Sequence, residues 1–570
     1  MQTGIIHMLE SSIVALLLLL ASEAFAQTKI IGKVTDSASD KPLIGVNITV
    51  KGKQIGTITD AYGNYELNAA ILPPFTVVFS YTGYATKAQV LGVGQTTINV
   101  RMIAQHMITS EVTAAGSRME ARILEAPGTV EKMDAIAIGQ TATPDFYEGI
   151  SNLKGVQATM GSLTFTSINA RGFGMVANER FVQLIDGMDS SAPFLNFPTG
   201  NMVGISELDA QSIELVAGSA SPLYGPNAFN GLLLMHSKNP FTYQGLSVQT
   251  KVGVTSSNAG GANPYSLISA RYAYAFRRYA VKINASYLQA TDWLATDYES
   301  GRVTASQRNP SGPDTPNFDG LNTYGDETEF VVPMATVAGS LSQVLAPLFA
   351  PQLGISVAQA QALLEQTIPR LPTLDLRRSG FREQDLLESN DAKSIKLDGA
   401  FHYRIGHNLE ASYCYRYGSG STSYQGGDRY ALRDFSQQFH KIELSNAHFW
   451  LRGYTSATDD GNSYNLSALG TLANERFKPS SGEWIPTYAG TYAGALLPIY
   501  LQGGTANATQ LASAHTAARN AANQGIPAAG SKEFQDVVNA VRNDFLQRNP
   551  PGAGFFDNSR MYHAETGFNF

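Results

Sequence analysis

The stretch 268–287 reads ISARYAYAFRRYAVKINASY. Ile268, Ala270, Tyr272, Tyr274 and Phe276 fall on every second position; Arg277-Arg278 interrupts, and Tyr279, Val281, Ile283, Ala285 and Tyr287 take the alternation up again. Successive strand side chains point to opposite faces, so this is a hairpin with one apolar face and an opposite face carrying Lys282, Asn284 and Ser286. A water-soluble sheet would need a second layer to cover that apolar face. A transmembrane barrel turns it to lipid and keeps the polar face for the lumen.

The same reading extends in both directions. Leu246, Val248, Thr250, Val252 and Val254 alternate with Ser247, Gln249, Lys251 and Gly253. A second hairpin runs through Ile395, Leu397, Gly399, Phe401, Tyr403 and Ile405, turns at Gly406-His407-Asn408 and returns through Leu409, Ala411, Tyr413, Tyr415 and Tyr417. In this register Cys414 faces inward beside Glu410, Ser412 and Arg416. The tight turns contrast with two long polar stretches, 291–393 and 456–560, which far exceed ordinary connections. That asymmetry fits outer-membrane barrels, whose long loops lie outside the cell. Val337–Leu364 and Ala506–Leu546 read as helices folded within those loops. From Leu246 onward about eight strands are convincing, the last within Met561–Phe570.

Composition agrees. The 570 residues carry 40 Lys+Arg against 47 Asp+Glu, a net charge of -7, and only 15% are charged, against roughly 25% in soluble domains. No basic stripe suggests a nucleic-acid partner. Cys414 is the single cysteine, so no intramolecular disulfide can form. Ile13–Ala21 is an apolar core followed by Ala24-Phe25-Ala26, the pattern of a cleaved export signal, which places the mature N-terminus at Gln27. Residues 27–103 hold short strands with turn punctuation, the signature of a small β-sandwich. Within it Asp60 and Asn64 bracket a turn, where Asx-turn chemistry is a better reading than calcium binding.

Two resemblances sharpen this picture. The segments Gly32–Asp36, Pro42–Val46, Thr59–Tyr65 and Tyr81–Tyr84 resemble the carboxypeptidase-regulatory-like domain, a family named for ancestry and not for peptidase activity. Between 117 and 244 the chain becomes mixed αβ and carries three ordered motifs: SINARGF at Ser167–Phe173, VQLIDGM at Val182–Met188 and IELVAGSASPLYGPNAFNG at Ile213–Gly231. These resemble the plug of a TonB-dependent outer-membrane receptor, with Arg171, Gly172, Phe173, Asp186, Gly187, Glu214, Tyr224, Gly225, Asn227 and Gly231 at motif positions. Ala217-Gly218-Ser219 stands where the family usually has Arg-Gly-Pro. The joining of such a front domain to a receptor resembles the Bacteroidota type.

The resemblance implies a mainly β chain: signal peptide 1–26, sandwich 27–103, linker 104–116, mixed αβ plug 117–244, and 245–570 as the first part of an antiparallel transmembrane β-barrel. The family's barrel has about 22 strands, so an incomplete barrel is expected here. It implies residence in the outer membrane, in contact with its lipid, and import of a scarce small nutrient driven by the TonB energy-transducing complex. The linker stretch Thr109, Ser110, Glu111, Val112, Thr113, Ala114 and Ala115 resembles the TonB box, which would add a strand to its partner. A lipoprotein lid over the barrel stays open as a further partner, as in starch-utilisation-type glycan importers. The alternative class is a surface-binding or adhesive outer-membrane protein that transports nothing.

Chemistry of other kinds finds no motif. HExxH, GxxxxGK and G-x-S-x-G are absent from the sequence, and His440 and His448 lack convincing ligand spacing, so neither an enzyme, a metal site nor a cofactor is expected. Arg171, Asp186 and Glu214 are expected to be buried inside the barrel. Unpaired, each would cost several kcal/mol, so they should pair with one another or with lumen residues such as Arg271 or Lys282. Phe173, Phe194, Phe197 and Tyr224 are the cargo-contact candidates.

Overall fold

The computed structural model describes residues 28–103 (apart from 38, 54, 70, 82, 83 and 85), the short segments 112–113 and 121–122, and residues 129–568 (apart from 175, 194, 221–223, 226, 300–302, 305–306, 309–314, 407 and 447). The expected signal peptide lies outside the described residues.

Seven strands open the described chain: β1 (Thr28–Asp36), β2 (Asn47–Val50), β3 (Gly56–Ile58), β4 (Asn64–Ala69), β5 (Phe75–Ser80), β6 (Lys87–Leu91) and β7 (Val100–Met102). They form two sheets, β4-β1-β7 and β3-β2-β5-β6. Alternate residues of both, among them Ile30, Val34, Ile48, Leu67, Val77 and Phe79, make one buried core, as a sandwich requires. Asp60 Oδ1 accepts the backbone N–H of Tyr62 and of Asn64, each at 2.8 Å. The turn is therefore held by its own side chain, the Asx arrangement.

The plug contains β8 (Val130–Asp134), β9 (Val156–Ser162), β10 (Phe165–Ala170), β11 (Phe181–Ile185), β12 (Met188–Asp189), β13 (Ala210–Ala217) and β14 (Gly231–Ser237). Five of these make a mixed sheet in the order β8-β13-β14-β11-β12, with β11 and β14 parallel, while β9 and β10 form a separate hairpin. Short helices at Ala135–Gly139 and Phe146–Gly149 cover the sheet, each started by an aspartate, Asp134 or Asp145, that accepts first-turn N–H groups. Phe146, Tyr147, Ile150, Ile168, Ile213, Leu215 and Leu233 pack between these layers.

Eight long strands follow: β15 (Gly245–Ser257), β16 (Gly261–Ala275), β17 (Tyr279–Thr291), β18 (Asp391–Ile405), β19 (Leu409–Gln425), β20 (Arg429–Ser445), β21 (Phe449–Asp459) and β22 (Arg560–Phe568). They are hydrogen bonded in sequence order as one sheet, joined at β20 by the short strand Tyr464–Asn465. The expected faces are the observed ones. Ile268, Tyr272 and Ile283 are 56%, 49% and 64% exposed, whereas Ser269, Arg271, Lys282 and Asn284 are at most 3% exposed, because only the inner face has anything to pack against. Ile405 pairs with Leu409 across the second tight turn, and Cys414 is buried on the inner side.

The two long connections are ordered as helices: α1 (Met334–Leu353) and α2 (Val357–Thr367) in the first, and α3 (Leu466–Phe477), α4 (Ile485–Leu501), α5 (Ala508–Asn523) and α6 (Lys532–Arg542) in the second. Leu341, Leu345 and Phe349 of α1 share a core with Tyr488, Tyr492 and Leu496 of α4 and with Ala514 and Ala518 of α5. α1, α2, α4 and α5 thus bury each other's apolar faces as one helical cap, while α3 and α6 share a second core with Tyr324, Leu386 and Tyr464. α1 is long and apolar enough to cross a membrane by length and composition, yet its Leu and Phe stripe is spent on this cap.

Trp484 anchors the cap: its Nε1 donates to Asn523 Oδ1 at 2.8 Å, and the Arg378 guanidinium lies 5.0 Å from its ring. Trp484→Ala should cost the cap about 3–5 kcal/mol. Limited proteolysis of the variant should cut within 466–542 first and leave the long strands protected.

Candidate functional site

Inward-facing positions on consecutive strands lie side by side, so charges placed there form a row. Here the row is Arg271 on β16, Lys282 on β17, Asp398 on β18, Arg416 on β19, Lys441 and Glu443 on β20, Arg452 on β21 and Glu565 on β22. Registry makes neighbours of several: Asp398 faces Arg416, Glu443 faces Arg452, and Arg452 faces Glu565. Arg416 Nε reaches Asp398 Oδ2 at 3.0 Å, and Arg452 binds Glu443 at 2.5 Å and Glu565 at 3.1 Å. Asn284 Nδ2 donates to Asp398 Oδ1 at 2.9 Å.

The plug completes this row. Asp209 accepts from Arg271 Nε at 2.8 Å on one oxygen and from Lys282 Nζ at 2.7 Å on the other. Asp186 Oδ2 accepts from Arg416 Nη2 at 3.2 Å, and the Asp186 carbonyl accepts from Lys441 Nζ at 3.1 Å. Along these contacts five cations of the sheet (Arg271, Lys282, Arg416, Lys441, Arg452) meet its three carboxylates (Asp398, Glu443, Glu565), and Asp186 and Asp209 of the plug supply two more. Buried charges persist when paired and hydrogen bonded, and removing one partner is far more costly than never having the pair.

Local backbone chemistry explains how Asp186 gets there. Ile185 pairs with Met188 across a two-residue turn, and both central residues have positive φ, 50° at Asp186 and 80° at Gly187. Asp-Gly is the preferred pair for such a turn. Gly187 is needed twice over, because a Cβ there would overlap the Arg452 guanidinium. Gly418 on β19 serves the same closeness of approach, since a Cβ there would meet Val203 of the plug. Burial opposes ionisation of Asp186, but Arg416, Lys441 and Lys282 together with the Ser237 N–H outweigh it and hold its carboxyl well below the usual range.

The plug motif residues separate into different roles. Glu214 is buried as expected but pairs within the plug, with Lys132 at 3.4 Å and His236 at 3.8 Å. Arg171 corrects the expectation of burial: the strand ends at Ala170, Arg171 and Gly172 turn the chain with φ of 57° and 77°, and the side chain is exposed. Lys282 and Arg271 do bind a plug carboxylate, but it is Asp209, which no motif marked. Gly231 opens β14, with Gly225 turning the chain before it at φ 92°; Asn227 donates to Asn196 at 2.8 Å.

Of the cargo candidates, Phe173 is 70% exposed and Tyr224 half-buried, whereas Phe194 lies outside the described residues. Phe197 is corrected to a packing residue: it is 7% exposed, within a cluster that includes Phe165, Met202, Tyr424, Phe435 and Phe439, and has no face left for a ligand. In the TonB-box candidate, Val112 and Thr113 form a two-residue antiparallel pairing with Arg122 and Ala121, while Thr109, Ser110, Glu111, Ala114 and Ala115 lie outside the described residues. Among the described residues no group of three or more His, Cys, Asp or Glu is placed to hold a metal ion.

Comparison with known proteins places these features. Residues 30–113 match the CarboxypepD_reg-like domain and residues 122–232 the TonB-dependent receptor plug domain. TonB-dependent receptor P3 of Formosa agariphila is 26% identical over 317 residues, 53% of this chain and 30% of that protein. TonB-dependent receptor SusC of Bacteroides thetaiotaomicron is 27% identical over 285 residues, 48% of this chain and 27% of its own length. The chain therefore spans under a third of these relatives. A solved structure, a mutant of the ferric enterobactin receptor PfeA from Pseudomonas aeruginosa, is 12% identical with a TM-score of 0.34, covering 60% of this chain and 41% of its own.

Two outcomes test the row. Asp209→Asn should leave Arg271 and Lys282 uncompensated and loosen the plug by about 3–5 kcal/mol, read as an earlier urea midpoint for protease cleavage of 129–237. For Asp186, whose folded pKa is depressed, the stabilisation is fully present above the unfolded value of about 3.9 and is lost as pH falls through the lower folded value. Its contribution should therefore stay constant from neutral pH to about pH 5, and Asp186→Asn should remove the acid-side decline of the same midpoint.

Proposed function

We propose, from the premise that the chain belongs to the TonB-dependent receptors of the outer membrane, that it imports a scarce nutrient by mechanical displacement of its plug. The observation that carries this reading is the ion-paired row at Asp186 and Asp209. A body tied into a lumen by several buried ion pairs is displaced only when those pairs part together and their charges are hydrated. The sequence has no phosphate-cradling motif to supply that energy from a nucleotide. The energy must arrive as force, delivered by the TonB complex through a segment joined to the plug.

Thr109–Ala115 is the segment we assign to that coupling. It precedes the plug, and Val112-Thr113 adopts extended backbone able to pair with another strand, the mode by which a peptide adds to a partner sheet. In this scheme the partner competes with Ala121–Arg122 for the Val112–Thr113 edge. The helices α1 to α6 lie in the long connections of the sheet, on the side where cargo would arrive. Siderophore, cobalamin, oligosaccharide and peptide are the cargo classes to be screened.

Deleting Thr109–Ala115 should abolish energised uptake of a labelled cargo while leaving its surface binding intact. Val112→Pro, which removes one strand-forming N–H, should do the same. Unchanged uptake in both variants would favour the surface-binding alternative, which has no use for a coupling segment.

A further inference from the structure

Directly on the long-loop side of the Asp209 contacts lies a small cavity of about 20 Å³ between plug and sheet, room for a water molecule. The sheet contributes Ser269 on β16, Ser286 on β17, and Ser394 and Lys396 on β18. These positions precede Arg271 and Asp398 and follow Lys282 along their strands, so the cavity stands on the ionic row over the same three strands. The plug contributes Thr164, Ser206 and Glu207. Thr164 and Ser206 are 1% and 8% exposed, and the hydroxyl oxygen of each is buried without a hydrogen-bond partner. Two orphan hydroxyls at a cavity that also holds Phe146, Leu267 and Leu288 are a site that awaits a hydrogen-bonding occupant.

The cavity's floor and the latch are one piece of chain. Ser206 O accepts the N–H of both Asp209 and Ala210, at 3.0 and 3.1 Å, which closes Ser206–Asp209 into a single tight turn. One end of that turn carries the cavity wall, Ser206 and Glu207. The other end carries Asp209, bound to Arg271 and Lys282. Glu207 is tied to the first strand as well, to Lys251 at 2.6 Å and Gln249 at 2.8 Å. The turn cannot move without breaking these contacts, and once it moves nothing of its own remains between the cavity and the ionic row.

We propose that the turn Ser206–Asp209 is the gate of the import path, and that the path runs along the inner face of β16, β17 and β18, past Ser269, Ser286, Ser394 and Lys396. The inference rests on the import reading above and names the side of the lumen that opens. The lining mixes hydroxyls and the Lys396 amine, which faces the plug carboxylates Asp145 and Glu207, with the apolar side chains Phe146, Leu267 and Leu288, so the path suits a solute that carries both polar and apolar groups. The far side of the lumen is closed differently. On β21, Ser456 is fully buried and bonded to Gln437, whose amide also donates to the Ser191 carbonyl of the plug.

The test is thiol accessibility in the full-length protein in the outer membrane of cells. In a Cys414→Ser background, Ser269→Cys and Ser394→Cys report the proposed path and Ser456→Cys the far side, with a membrane-impermeant charged methanethiosulfonate as probe. Asp209→Asn should speed labelling at 269 and 394 by at least about tenfold without any energy source, since every 1.4 kcal/mol of loosening is tenfold in open population, and leave 456 unlabelled. Glu207→Gln, which weakens the same turn with less disturbance to the core, should act in the same direction. Equal acceleration at 456, or none at 269 and 394 in either variant, would overturn the gate. Energised labelling that survives deletion of Thr109–Ala115 would instead count against the coupling reading, because the Asp209→Asn arm needs no energy.

Discussion

A buried charge must be paired or hydrogen bonded, and the contact between plug and sheet answers to that constraint. The strands supply lumen-facing cations, and the plug supplies Asp186 and Asp209 in return. Each contact needs both bodies in place. The Asp186-Gly187 turn, the closeness of Gly187 to Arg452 and the missing side chain at Gly418 are the local means by which the two surfaces approach. Neither surface is a comfortable solvent-free face by itself.

The outer face of the same strands obeys a different rule. Lipid asks only for apolar side chains, so Ile268, Tyr272 and Ile283 need no specific partner, whereas inner positions such as Lys282, Arg416 and Arg452 have defined ones. Beyond the strands the long connections meet yet another condition, that of water. They satisfy it by folding onto one another, with Leu345, Phe349, Tyr492 and Leu496 removed from solvent in a common core. Lipid, protein and water thus each select a different pattern from one continuous chain.

Much of this was legible before any coordinates. The strands declared themselves because a period of two survives in the raw order of residues, and 268–287 needed only its own twenty positions to be read. α5 and α6 lie inside the second helix-like run and α1 and α2 overrun the two ends of the first, but α3 and α4 fall outside both: in α4 Pro486, Gly490, Gly494 and Pro498 interrupt the pattern, although Tyr488, Tyr492, Leu496 and Tyr500 recur every fourth residue on one buried face. The site was only half legible. Arg271, Lys282 and Arg416 could be placed inward by alternation, yet their partners could not be named, since a partner across the lumen is set by three-dimensional approach and leaves no periodic trace. Asp209 sits in a Glu-Leu-Asp turn that resembles any surface turn, and Arg171, conspicuous in its motif, rotates outward because the strand ends one residue before it.

The claim on which this account stands is that Asp186 and Asp209 hold the plug in the lumen. Hydrogen–deuterium exchange of the full-length protein in membrane vesicles measures that directly, through the amides of Phe181–Ile185 and Ala210–Ala217. In the unaltered protein these amides should exchange slowly, and neutralising both aspartates to asparagine should accelerate them by at least about tenfold for each 1.4 kcal/mol of holding energy removed. Exchange that is equally slow in the double variant would show that packing alone retains the plug and would contradict the account.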